Sequence, residues 1–157
     1  MIELAVFGAI AGSLMAWAAG ELRHSRALWT VGALLAAVHS AAAFAVFYEW
    51  SHDRAVAATA QQTAAVTGLA WGGGVFFNYA FLAIWLGDAM WWWVSPTSYE
   101  TRDRAIDFIV RGFLFFMFLN GAIVFADGGM RVLGTFAVAA VSVSWLMKSF
   151  RPTVPAR

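Results

Sequence analysis

Two sets of residues in this chain have types and spacings that could do chemistry. The first is the run Tyr48-Glu49-Trp50-Ser51-His52-Asp53. If it is helical, Glu49 stands three residues before His52 and four before Asp53, so the three side chains could converge on one divalent metal. Glu-x-x-His is the spacing of carboxylate-bridged metal sites in helical bundles, but those sites use two such motifs and this chain has one. A solvated helix end, with Arg54 paired to a neighbouring acid, explains the run equally well.

The second set is polar and lies inside apolar sequence: His39, Asn78, Trp85, Asp88 and Asn120. At 1.5 Å per residue His39 lies ~18 Å along its helix from Ala27, near mid-bilayer depth if that helix spans a membrane. An imidazole there could relay protons, bind a ligand or ligate haem iron. His24 and His52 fall at opposite ends of the flanking segments, too far away to share an iron with His39. A haem would therefore need an axial ligand from another subunit or from a non-histidine group. The plain alternative is a neutral histidine hydrogen-bonded inside the bundle. Counted at 100° per residue, Thr63, Thr67, Gly74, Asn78, Trp85, Asp88 and Trp92 share one helical sector. Within the same stretch Gly72, Gly73 and Gly74 form a weak point, since each glycine costs roughly 1 kcal/mol relative to alanine inside a helix. Unwound backbone of this kind lines ion sites in some transporters, and elsewhere it marks a tight helix crossing.

The composition says what must position these groups. Of 157 residues, 62% are apolar and 12% charged, with ten basic and nine acidic side chains. So few charges cannot clothe a soluble domain of this size, and a net charge of +1 excludes a nucleic-acid binder. There is no cysteine, hence no disulfide and no thiolate chemistry. No Walker-type phosphate loop, dinucleotide fingerprint or nucleophile elbow occurs. The lone lysine, Lys148, lies outside the middle of any span, which excludes a retinal Schiff base.

The expected class is all-α: a polytopic membrane protein whose single helical domain, 1–150, is a five-span bundle. Its spans are about 4–20, 27–48, 66–87, 108–126 and 132–147, and an irregular tail, 151–157, follows. Arg111 is the one charge inside these spans. With Asp107 four residues earlier it makes a favourably ordered intrahelical pair. Asp88, just past the third span, could pair with Arg102 or Arg104. The segment Ser51–Ala65 reads as an outward continuation of the third helix. Ser95-Pro96 breaks the chain, and Ser98 or Thr101 is placed to cap the fourth. Seven basic residues (Arg23, Arg26, Arg102, Arg104, Lys148, Arg151 and Arg157) fall on one side and two (Arg54 and Arg131) on the other. The positive-inside rule then gives N-terminus out and C-terminus in, across a plasma (inner) membrane. Trp17, Trp29, Trp91, Trp92, Trp93 and Trp145 fall near the inner interface. Gly8, Gly12, Ala16 and Gly20 give the first span a small-residue face for close helix contact.

Three functions fit this reading. The leading one is a non-catalytic subunit or anchor of a larger membrane assembly, with a polar interior that takes a partner helix or lipophilic ligand. Its partners would be the lipid bilayer and other membrane subunits or further copies of the chain. The second is a small transporter or channel with a path along His39, Asn78 and Asp88. The third is a metalloenzyme built on Glu49, His52 and Asp53.

Overall fold

The computed structural model describes residues 2–149; the tail expected at 151–157 lies outside them. Among the described residues there are seven α-helices, one π-helical turn and no strand. In chain order they are α1 (Ile2–Arg23), α2 (Arg26–Phe47), α3 (His52–Thr67), α4 (Gly74–Val94), α5 (Pro96–Glu100) and α6 (Arg104–Leu119), then the π turn (Asn120–Val124) and α7 (Gly128–Ser149). Four stretches are long and apolar enough to cross a membrane: Ala5–Arg23, Arg26–Phe47, Arg104–Val124 and Gly128–Lys148. Helix α4 is as long, at 21 residues, but carries Asn78, Asp88 and Trp85, Trp91, Trp92 and Trp93.

The α1–α2 hairpin is the closest pairing, and small residues make it so. His24 turns the chain with a positive φ of 49°, and the Ser25 hydroxyl caps α2 by accepting from the Leu28 amide. A Cβ on Gly20 would stand 3.2 Å from the Trp29 backbone, and one on Gly12 3.1 Å from Leu35. At this spacing the buried Ser13 hydroxyl reaches the Gly32 carbonyl, 2.9 Å away on the facing helix. Gly32 also makes room for Trp85, whose ring would lie 2.7 Å from a Cβ there. Trp17, Trp29 and Trp85 are fully buried, so two of the tryptophans expected in an interfacial belt are core residues instead. Trp17 stacks on Phe118 at 4.5 Å, and Trp85 meets both Trp29 and Phe118 edge-on at 5.5 and 5.6 Å. Such offset and edge contacts suit the ring quadrupoles and add to the burial of three large side chains.

Four expected boundaries are corrected. Helix α2 stops at Phe47, and Glu49 and Trp50 both take positive φ (49° and 60°) before Ser51 caps a new helix. Residues 48–51 therefore form a turn between two helices, with His52 and Asp53 opening α3, so Glu49 and His52 do not share a helical face. The segment beginning at Ser51 does not continue into the third span. Helix α3 ends at Gly68, whose φ of 79° is a left-handed cap that only glycine adopts freely. The helix expected over 66–87 is α4, which runs from Gly74 to Val94 and is not among the four candidate spans. The loop before it passes so near α3 that a Cβ on Gly72 would lie 2.6 Å from the Val56 carbonyl oxygen. The three glycines are the approach to a helix, not a break within one. Finally, α5 is a separate turn led by Pro96, and α6 is capped by neither Ser98 nor Thr101. Asp103 does that, its carboxylate accepting from the Ala105 amide at 2.7 Å.

Candidate functional site

The buried charged residues of this bundle gather at one end, where α1, α4 and α7 finish and α2 and α6 begin. Asp88 projects from the last turns of α4 and is 5% exposed. Its carboxylate accepts from the Trp29 indole on α2 and from the Tyr99 hydroxyl on α5, both at 2.9 Å. It also takes the guanidinium of Arg102, a pair in which the side chains are 3% and 2% exposed. Arg102 lies over the Tyr99 ring at 4.1 Å and bridges on to Asp107 at the start of α6. Asp107 in turn accepts from Arg111 Nε at 2.8 Å, one helical turn along. Arg111 reaches Glu21 on α1 at 2.5 Å.

The result is an alternating chain: Asp88, Arg102, Asp107, Arg111, Glu21. Three acids and two arginines leave one negative charge over. Removing such groups from water is costly, and close pairing with full hydrogen bonding is what makes it tolerable. Burial, together with the negative charge of Asp88, pushes the Tyr99 phenol above its ordinary value, so it remains a donor. Burial acts against the Arg102 charge, but its bonds to Asp107 and Asp88 outweigh that and raise its pKa.

At the far end of the chain Glu21 is 3% exposed. Its Oε2 accepts from Arg111 and from the Trp145 indole, while Oε1 is buried with no hydrogen-bond partner. Glu21 forms part of the wall of a cavity of about 380 Å³, together with His24, Glu100, Arg104, Asp107 and Lys148 among others. At its rim His24 contacts Glu100 at 3.2 Å, and the Trp92 indole donates to the same carboxylate at 3.1 Å. Chemically, the arrangement ties six helices, α1, α2, α4, α5, α6 and α7, together at one end and leaves one buried carboxylate oxygen, Glu21 Oε1, without a hydrogen bond.

The residues singled out from sequence are distributed differently. Asp88 belongs to the cluster just described. His39 donates from Nδ1 to the Val6 carbonyl at 2.9 Å, across the α1–α2 contact. Asn120 donates to the Phe116 carbonyl of its own helix at 2.8 Å. Trp85 is sealed in the core, and Asn78 is exposed on α4. The hydrogen bonds of His39 and Asn120 are to main-chain carbonyls, and those of Asp88 are to Trp29, Tyr99 and Arg102. Glu49 pairs with Arg54 at 2.5 Å, while His52 bonds the Tyr79 hydroxyl at 2.9 Å. No group of three His, Cys, Asp or Glu side chains among the described residues could hold a metal. The sequence reading gave Arg102 as one of two partners open to Asp88 but missed Glu21 and Tyr99 as members of the same cluster. Arg111 held the available signal: a charge within an apolar helix asks for more than one partner, and only Asp107 had been found for it.

No protein family, no curated protein and no solved structure matches this chain.

Proposed function

We propose that the chain is a five-crossing integral protein of the plasma (inner) membrane, N-terminus out and C-terminus in, acting as a non-catalytic subunit or anchor of a larger membrane assembly. The fifth crossing is α4, and its packing supports this. It runs antiparallel to α2 along almost all of its length, from Tyr79 against Phe44 (6.0 Å) through Trp85 against Trp29 (5.5 Å) to Trp93 under Arg26 (3.8 Å). A helix paired end to end with a membrane span crosses wherever its partner does. Its tryptophans suit the bundle core and the interface, where indoles are favoured. The outward faces of α2, α6 and α7 expose Val31, Leu34, Val38, Phe108, Ile109, Phe136 and Val143, a surface suited to lipid or to other helices.

One observation carries the non-catalytic reading. Most polar groups within the bundle are occupied by internal partners: His39 by Val6, Ser13 by Gly32, Asn120 by Phe116 and the charged chain by itself, the buried exceptions among the described residues being Glu21 Oε1 and the indole N–H groups of Trp17 and Trp85. A transport path needs such groups turned towards a shared cavity. Purification of the full chain from its native membrane in mild detergent tests the reading. A second membrane protein, or further copies of the chain, should accompany it at fixed stoichiometry. A stable lone monomer would count against it, and ion flux in proteoliposomes that is lost in His39→Ala would favour the transporter instead.

A further inference from the structure

Between α1 and α7 lies a second cavity, an apolar groove of about 300 Å³. One face of each helix lines it, from Met15 to Arg23 on α1 and from Leu133 to Ala140 on α7, at three- and four-residue spacing. The short side chains of Ala18, Ala19, Ala137 and Ala140 leave the space, and the exposed side chains of Met15 and Phe136 border it. Arg23 is the one charged residue of the lining, and it ends the apolar stretch Ala5–Arg23. No acid answers it: Arg23 has no ion-pair partner among the described residues, and Glu21, two positions away, is held by Arg111. Long side chains on a helix lean back over the preceding turn, which carries the Arg23 guanidinium over its end of the groove.

Length selects the kind of occupant. From Met15 to Arg23 the groove runs ~12 Å at 1.5 Å per residue. The hydrocarbon core of a bilayer is about 30 Å thick, so one leaflet is about 15 Å deep. A spanning partner helix would meet the groove over less than half of its own length. An acyl chain of one leaflet matches it from end to end, with its headgroup at Arg23.

We infer that this groove binds one phospholipid with a net negative headgroup, its acyl chain along the four alanines and its phosphate on Arg23. A guanidinium donates to two phosphate oxygens at once, which fixes the headgroup at that end. A choline headgroup brings a cation of its own to the same arginine and is disfavoured; a glycerol headgroup brings none. The inference rests on the membrane placement of α1 and α7, two of the four candidate spans, and not on α4 or on the subunit role.

The test titrates the full chain in detergent micelles with phosphatidylglycerol or phosphatidylcholine of matched acyl chains, read by native mass spectrometry. One phosphatidylglycerol per chain should be retained, at least fivefold more tightly than phosphatidylcholine. Arg23→Gln should abolish that preference and leave phosphatidylcholine binding as it was. Ala140 is exposed, so Ala140→Leu fills the groove without entering the core, and should weaken both lipids at least fivefold. Arg104→Gln, a cation at the same end but outside the groove, should keep the preference. Equal retention of the two lipids, or a preference that survives Arg23→Gln, would overturn the proposal. So would an equal loss in Arg104→Gln, which makes the effect one of general surface charge. Unchanged lipid binding in Ala140→Leu with an altered oligomeric state would overturn it too, since the groove would then seat a second copy of the chain. Lipid retention is read on the chain itself, so a failed search for a partner subunit leaves this result standing.

Discussion

Asp88→Ala should lower the unfolding free energy by about 3–5 kcal/mol, the cost of leaving a buried charge without its partner. Both members of the Asp88–Arg102 pair are almost completely buried, so solvent cannot take over from the lost carboxylate. The same change orphans two more donors, the Trp29 indole and the Tyr99 hydroxyl. Those bonds tie α4 to α2 and α5, and Arg102 passes the connection to α6 through Asp107. Asp88→Asn keeps an acceptor for the indole and the phenol while removing the charge, and should fall between the parent and Asp88→Ala. Denaturation in detergent, followed by near-ultraviolet circular dichroism of the buried tryptophans, measures both. A loss below about 1 kcal/mol in Asp88→Ala would be that of an exposed pair and would contradict the buried chain.

Gly134→Ala is the second large effect, with a steric cause. A Cβ at Gly134 would overlap the Ala122 carbonyl oxygen and stand 2.7 Å from the Ala122 Cβ. Neither atom can move aside by changing rotamer, because one is backbone and the other is fixed to it. Ala122 lies within the π turn, whose wider hydrogen bonding, Phe125 to Asn120 at 2.9 Å, carries that stretch against α7. Overpacking of this sort costs about 1–3 kcal/mol, or else pushes α7 away. Gly87 and Gly112, also helical, have nothing within 4 Å of a Cβ. Alanine there should be neutral or stabilising by up to about 1 kcal/mol through helix propensity. Thermal midpoints of the three variants in one detergent measure the contrast, and three similar midpoints would contradict the close α7–π turn approach.

Much of this fold was legible because lipid-compatible helices announce themselves by length and by the residues at their ends. The break at Ser95-Pro96, the small-residue face of α1 and the pairing of Asp107 with Arg111 all follow from local rules. Of the two partners open to Asp88, Arg102 is the one it takes. The third span was harder to bound. Gly68 and Gly72–Gly74 say that the backbone can turn, but whether it does depends on how α3 packs against the start of α4. The run 48–53 was misread for a related reason: helical spacing held only if the chain stayed helical through Glu49 and Trp50, and it turns there instead. Glu21 escaped notice because it sits one residue beyond an apolar stretch, where an acid is ordinarily solvated. Its burial comes from Arg111, 90 residues away in sequence.

Single-cysteine accessibility tests the five-crossing arrangement most directly, since the chain has no cysteine of its own. Gln61, Thr97 and Asp127 are exposed, on α3, on α5 and between the π turn and α7 respectively. With α4 crossing, Gln61→Cys and Asp127→Cys should react with an impermeant thiol reagent added to intact cells, and Thr97→Cys only after permeabilisation. If Thr97→Cys reacts from the same side as Gln61→Cys while Asp127→Cys reacts from the other, α4 does not cross and the five-crossing arrangement is contradicted.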